Sequence, residues 1–178
     1  MNRFSALERS FRNYFHRIFA MESPQSIENP VHPRWKVSVK VKVRSFEVDA
    51  QGIVHNAIYL HYFEIGRMEY FRALGYPLDA ASINTWAKVV IARQEIDYLS
   101  PAKYDDDLIV HTRLAWIKKS SFGFEGYIER ALDRKPIARN LTVMVWLDAK
   151  TDQPKPVPEM FRTLISNFEG RDVSVEAP

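Results

Sequence analysis

Between Lys36 and Phe46 the chain alternates, with Val37, Val39, Val41 and Val43 on one side and Lys36, Ser38, Lys40, Lys42 and Arg44 on the other. A period of two sends successive side chains to opposite faces, so this stretch predicts a half-buried strand. The period then changes. From Asn56 the apolar positions take a helical spacing, and Tyr59, Tyr62, Phe63, Gly66, Tyr70, Ala73 and Leu74 fall on one broad arc. This predicts a long helix with Asn56 as its N-cap and Gly75 and Pro77 at its end. So wide an arc means a helix mostly engulfed by protein. Gly66 sits in the middle of the arc, where a missing side chain lets the backbone approach a sheet closely, despite a helix cost of about 1 kcal/mol.

After a loop around 80–85, extended runs are predicted at 87–98, 108–118, 122–132 and 136–147. Turn signals punctuate them: Pro101 with Asp105, Asp106 and Asp107, then 118–121, then 133–135. The last three runs have hairpin spacing and should pair antiparallel. Pro154, Pro156 and Pro158 close the sheet region, and 159–167 reads as a short terminal helix before a tail at 170–178. One strand, a long buried helix and four more strands describe an α+β fold, a five-stranded antiparallel sheet wrapped around a long central helix. A single unit would expose apolar strand surface or sheet edges, so association into at least a dimer is expected.

Ahead of this body, Phe4, Leu7, Phe11, Tyr14 and Ile18 recur in steps of three and four, the stripe of an amphipathic helix. Its other face is Ser, Asn and Arg. Such a helix docks on the body or a partner subunit, or lies on a membrane surface. Its Arg-rich, nearly acid-free composition also fits an organelle presequence, with Met21 as an alternative start. Ser23, Pro24, Pro30 and Pro33 make the next stretch a linker. The expected organisation is an appendage at 1–33, a body at 34–169 and the tail.

At 178 residues the chain has room for one sizeable core and not for a second full domain. It contains no cysteine, which excludes disulfides, thiolate nucleophiles and cysteine-ligated metal sites. The net charge of +3 would suggest an acidic partner, but its distribution argues otherwise. Arg3, Arg9, Arg12 and Arg17 face Glu8 alone within the first twenty residues, leaving 21 basic and 21 acidic side chains in the rest. No basic stripe follows residue 20, so no nucleic-acid partner is expected.

The stretch that carries chemistry is Phe46-Glu-Val-Asp49-Ala-Gln-Gly52-Ile-Val-His55-Asn56-Ala-Ile-Tyr59, continuing into Glu64 and Arg67. It resembles the 4-hydroxybenzoyl-CoA thioesterase-like branch of the hotdog superfamily. Members of that branch place an Asp, a Gly, an Asn or His and a Tyr at this spacing, followed by Glu-x-x-Arg. The resemblance extends from Val37 to Arg162, through Glu95-Ile-Asp-Tyr98-Leu-Ser-Pro101, Lys119-Ser-Ser121-Phe and Lys155-Pro-Val-Pro158. Asn56, where close bacterial members often have His, and the appendage are the departures.

The resemblance implies a single hotdog fold and the hydrolysis of acyl-CoA or acyl-carrier-protein thioesters without a metal or other cofactor. It implies Asp49 as nucleophile or general base and a backbone N–H at the start of the helix near Asn56 as the donor that polarises the carbonyl. The chemistry agrees, since unpaired N–H groups and a partial positive charge collect at a helix N-terminus. One such donor contributes about 3 to 4 kcal/mol to a transition state, and a general base about 10² to 10⁴ in rate. Standing alone, Asp49 would read as a turn residue, Asn56 as a cap and His55 as a structural histidine. Beside the motif, His55 and Asn56 become candidates to orient water or the acyl group, and Tyr59 to line the acyl pocket.

Glu64 is the rival carboxylate. It lies eight residues beyond Asn56, about 12 Å of helical rise, too far to serve a carbonyl held at its own helix start. Glu64 therefore either meets substrate across a dimer interface or pairs with Arg67. Ser121 matches a position near the thioester in related enzymes and equally suits a plain turn. The CoA phosphates have Arg93, Lys118, Lys119 and Arg139 as candidate holders. No Gly-x-Ser-x-Gly elbow and no His-Glu-x-x-His pair is present. The expected protein is a cytoplasmic homodimer or homotetramer working in fatty acid metabolism. The other readings are a non-catalytic acyl-CoA sensor or scaffold acting through its N-terminal helix, and, ranked below it, a hotdog dehydratase.

Overall fold

The alternating valines form β1, Val37–Lys42, shorter than predicted because the chain leaves the sheet at Val43 and turns through one 3-10 step at Ser45–Glu47. In this computed structural model the described residues are 35–75 and 88–174, within a compact unit spanning Pro33–Pro178. The expected amphipathic helix and linker, the loop around 80–85 and the end of the tail fall outside them.

Helix α1 runs from Ile58 to Ala73. Four strands follow: β2 at Lys88–Tyr98, β3 at Asp107–Ile117, β4 at Ser121–Arg130 and β5 at Pro136–Leu147. Helix α2, Glu159–Glu169, ends the described part, with Gly170 in the left-handed conformation at its C-cap. The five strands form one antiparallel sheet in the order β1-β3-β4-β5-β2. The hairpins β3–β4–β5 are sequence neighbours, as their spacing predicts. β1 and β2 take the two edges, an arrangement no local spacing encodes.

On α1 the buried positions are Tyr59, Tyr62, Phe63, Gly66, Arg67, Tyr70 and Phe71, a continuous stripe of threes and fours. Phe71 takes the place foreseen for Ala73, which is exposed where the helix ends. The helix lies across β1, β3 and β4. Two glycines allow it to come so close. A Cβ on Gly66 would stand 2.3 Å from the Thr112 hydroxyl oxygen, and one on Gly126 of β4 would stand 2.5 Å from the Phe63 ring. Thr112 and Gly126 are register partners, so the two close approaches occur on one rung of the sheet.

The core divides along the helix. Tyr70 and Phe71 pack with Leu114, Phe122, Phe124, Trp146, Phe161 and Ile165, under α2. Tyr59, Tyr62 and Phe63 pack with Val43, Val54, Ala102, Leu108, Val110 and Ile128. This second cluster is the floor on which the helix start rests.

Candidate active site

The approach to α1 is a small irregular hairpin. The Asp49 N–H donates to the Ile53 carbonyl at 2.9 Å, Gly52 takes φ +73° to close the turn, and its N–H donates to the Asp49 carbonyl at 2.9 Å. The Asp49 Oδ1 accepts the Gln51 N–H at 2.8 Å, which orients the carboxylate while its second oxygen makes no protein hydrogen bond among the described residues. The Val54 N–H donates to the Ala102 carbonyl at 2.9 Å, stitching the hairpin to the segment that follows β2.

Glu47 ties this loop to the helix. Its carbonyl accepts the His55 N–H at 2.9 Å. Its Oε2 accepts the Arg44 N–H at 2.6 Å and the Tyr62 hydroxyl at 2.7 Å. Burial, and then the Glu47 carboxylate, push the Tyr62 phenol well above its ordinary value, so it remains a donor.

Asn56 was expected to cap the helix, and it does not. The residue before the helix is Ala57, and no side chain caps it. The His55 ring does the nearest equivalent work, its Nδ1 accepting the Ala57 N–H at 3.2 Å. The reason is geometric: the chain turns at 55–57 with the His55 carbonyl accepting from Ile58 at 2.9 Å, which starts the helix one residue late. Among the described residues the Asn56 N–H meets no acceptor.

Asp49, His55, Asn56 and Tyr59 all line one open cleft of about 660 Å³, with Tyr98, Leu99 and Ser100 on the opposite wall. Tyr59 is buried at its base. Its hydroxyl oxygen accepts the Ala102 N–H at 3.4 Å, and its ring meets the Tyr98 ring edge-on at 5.3 Å. Burial raises the Tyr59 phenol above its ordinary value. The Tyr98 hydroxyl donates to the Asn56 carbonyl at 3.1 Å.

Two other candidates lie elsewhere in the chain. Ser121 opens β4 and Glu64 sits on the exposed side of α1, and neither lines the cleft. The expected Glu64–Arg67 ion pair does not form. Arg67 turns under the helix, where its guanidinium donates to the Thr142 hydroxyl at 3.2 Å, while the Glu64 carboxylate lies 4.0 Å from Nδ1 of His61. Desolvation lowers the Arg67 pKa, with Glu64 acting on it only from a distance. Of the basic candidates, Arg93 pairs with Glu95 at 2.8 Å and Arg139 with Asp97 at 2.6 Å, while Lys118 lies over the Trp116 ring.

Glu47 and Tyr98 are the site-building residues that sequence reasoning missed. Tyr98 was visible as the aromatic residue closing a strand just ahead of Pro101, but its bond to a residue 42 positions away carries no local signature.

Residues 43–165 match the sequence model of the thioesterase-like superfamily. Over 137 residues the chain is 29% identical to the chloroplast acyl-acyl carrier protein thioesterase ATL3 of Arabidopsis thaliana, spanning 77% of this chain and 71% of that protein. It is 36% identical over 93 residues to the acyl-CoA thioesterase YbgC of Haemophilus influenzae, spanning 52% of this chain and 68% of that one. Among solved structures, a thioesterase from Thermus thermophilus, complexed with coenzyme A and zinc, superposes with a TM-score of 0.68 at 32% identity. The match covers 79% of this chain and 98% of that one.

Proposed function

The chain belongs to the thioesterase-like superfamily, and on that footing we propose that it hydrolyses acyl-CoA or acyl-carrier-protein thioesters at the Asp49 cleft. One observation carries the reading: the Asp49 carboxylate and the unpaired Asn56 N–H belong to the same cleft at the start of α1. These are the two groups that thioester hydrolysis requires.

In the proposed reaction the thioester oxygen takes the Asn56 N–H, and the N-terminal end of α1 adds its positive field. Charge builds on that oxygen as the carbonyl carbon becomes tetrahedral. Asp49 then acts by one of two routes. As nucleophile it forms a mixed anhydride and expels the thiolate, and water cleaves the anhydride to the free acid. As general base it takes a proton from water as that water adds, and the tetrahedral intermediate collapses to acid and thiol. Either way one water is consumed for each acid and thiol released. Tyr59 and the Tyr98 ring supply the apolar walls for the acyl group. Ser121 and Glu64 would meet substrate only from a second protomer.

The free edge of β2, its exposed Val90, Ile91 and Tyr98, and the adjoining Leu99 support such a partner, as a homodimer or homotetramer in which the sheets enclose the helices. The division at 1–33, 34–169 and 170–178, a membrane or partner contact through residues 1–20, and a cytoplasmic location belong to the same proposal. Among the described residues no helix is long and apolar enough to cross a membrane.

The test is thiol release from short, long and aromatic acyl-CoAs and from acyl-carrier-protein substrates, using the full chain. Asp49→Asn should lose at least about 10² in turnover while circular dichroism and sedimentation stay unchanged. Undiminished turnover in that variant removes Asp49 from the mechanism. Binding of acyl-CoA with no hydrolysis by the native chain would instead favour the sensor reading.

A further inference from the structure

Around Asn56 almost every backbone polar group is engaged. The His55 N–H donates to the Glu47 carbonyl, the His55 carbonyl accepts from Ile58, and the Ala57 carbonyl accepts from Leu60 at 3.2 Å. The peptide between Asn56 and Ala57 is held differently, by a side chain at each end. Its carbonyl accepts the Tyr98 hydroxyl at 3.1 Å, and its N–H donates to His55 Nδ1 at 3.2 Å. Within residues 55–57 only the Asn56 N–H is left open. A single open donor among satisfied neighbours is a pre-organised one.

From this arrangement we infer that Tyr98 is a positioning residue for the reaction, acting through the Asn56–Ala57 peptide to aim the Asn56 N–H into the cleft, with His55 Nδ1 as the second clamp. The inference rests on the proposed thioesterase reading. The other holds on this stretch come from the loop and the helix themselves. Tyr98 comes from the last residue of β2, so it couples the direction of the donor to the edge strand. It also occupies the Asn56 carbonyl, which a helix begun earlier would offer to the Leu60 N–H. Leu60 bonds instead to Ala57. The ring, 52% exposed and edge-on to Tyr59, is anchored independently of the hydroxyl. This assigns His55 an acceptor role at Nδ1, with its ring proton on Nε2, rather than proton transfer from Nδ1.

Tyr98→Phe removes the hydroxyl and keeps the ring, so folding and the cleft wall survive. A donor that matters most as charge develops acts on kcat more than on KM. The expected result is kcat lower by about tenfold, the worth of one hydrogen bond, with KM within about twofold. His55→Asn, whose side-chain oxygen can accept the same N–H, should keep most activity, and His55→Leu should not. Unchanged kcat in Tyr98→Phe, or a rise in KM alone, overturns the inference while leaving the Asp49 reading intact. A second measurement does not depend on turnover. The Ala57 amide nitrogen, bonded to the Asn56 carbonyl, should shift its resonance in Tyr98→Phe while residues beyond Tyr62 stay in place. If it does not move, the clamp is refuted even where no substrate has been found.

Discussion

A Cβ built on Gly66 would stand 2.3 Å from Oγ1 of Thr112 and 3.1 Å from the nearest Val110 methyl. Helix α1 meets β3 here across the Thr112 and Val110 side chains, with no side chain of its own between. Gly66→Ala should therefore destabilise by about 1 to 3 kcal/mol even though alanine favours helix. Urea unfolding measures it. The Thr112 hydroxyl is buried without a hydrogen-bond partner among the described residues, so Thr112→Ala makes room at little cost. The double variant should recover much of the loss, a coupling a cycle would resolve.

At the other end of α1, the Tyr70 hydroxyl donates to Glu169 Oε1 at 2.5 Å, and the same oxygen accepts the Leu114 N–H at 2.9 Å. This buried carboxylate joins α1, α2 and β3. Burial, and then Glu169, raise the Tyr70 phenol far above its ordinary value, so it stays protonated as the donor. Tyr70→Phe should cost about 2 kcal/mol, because a bond to a charged acceptor is lost and the carboxylate stays buried. Chemical denaturation followed by Trp fluorescence would report it.

Because no side chain caps α1 at Asn56, Asn56→Ala should change stability by less than about 0.5 kcal/mol, where loss of a working cap would cost about 1. A thermal melt separates the two. The backbone N–H that the proposed mechanism needs remains in this variant.

Asp133 sits in the β4–β5 turn with both carboxylate oxygens on Arg130, at 2.9 and 2.7 Å, and that contact lowers its pKa to about 2. In the unfolded chain it titrates near 4 (about 3.9). Between these values the unfolded state binds more protons, so the contribution is present above about pH 4 and is lost as pH falls toward 2. Asp133→Asn should make the acid limb of stability against pH shallower in that window and leave its shape above pH 5 unchanged. Denaturant midpoints taken across pH 2 to 6 would show it. The group is exposed, so the effect should shrink in high salt.

Much of the fold is legible along the chain because it rests on local periods. The valines of β1, the hairpins β3–β4–β5 and the stripe of α1 each follow from spacing, and Gly66 announces a close approach before any partner is known. The candidate site is legible in part. Asp49, His55, Asn56 and Tyr59 lie within eleven residues, so the local chain path keeps them together at one cleft.

What spacing does not encode are the contacts that aim those residues. Helical periodicity places Arg67 one turn after Glu64, yet the pair does not form, because the guanidinium lies buried under the helix, where it donates to the hydroxyl of Thr142, 75 residues away. Asn56 has the composition of a cap, yet the turn at 55–57 leaves the helix without a side-chain cap and the Ala57 N–H on the His55 ring. Order and period along the chain determined which residues form strands and helix, and which stand at the helix start. The tertiary structure decided how that start is held from outside its own loop, because Tyr98 reaches the Asn56 carbonyl, 42 positions away, only once the sheet has brought the end of β2 beside it.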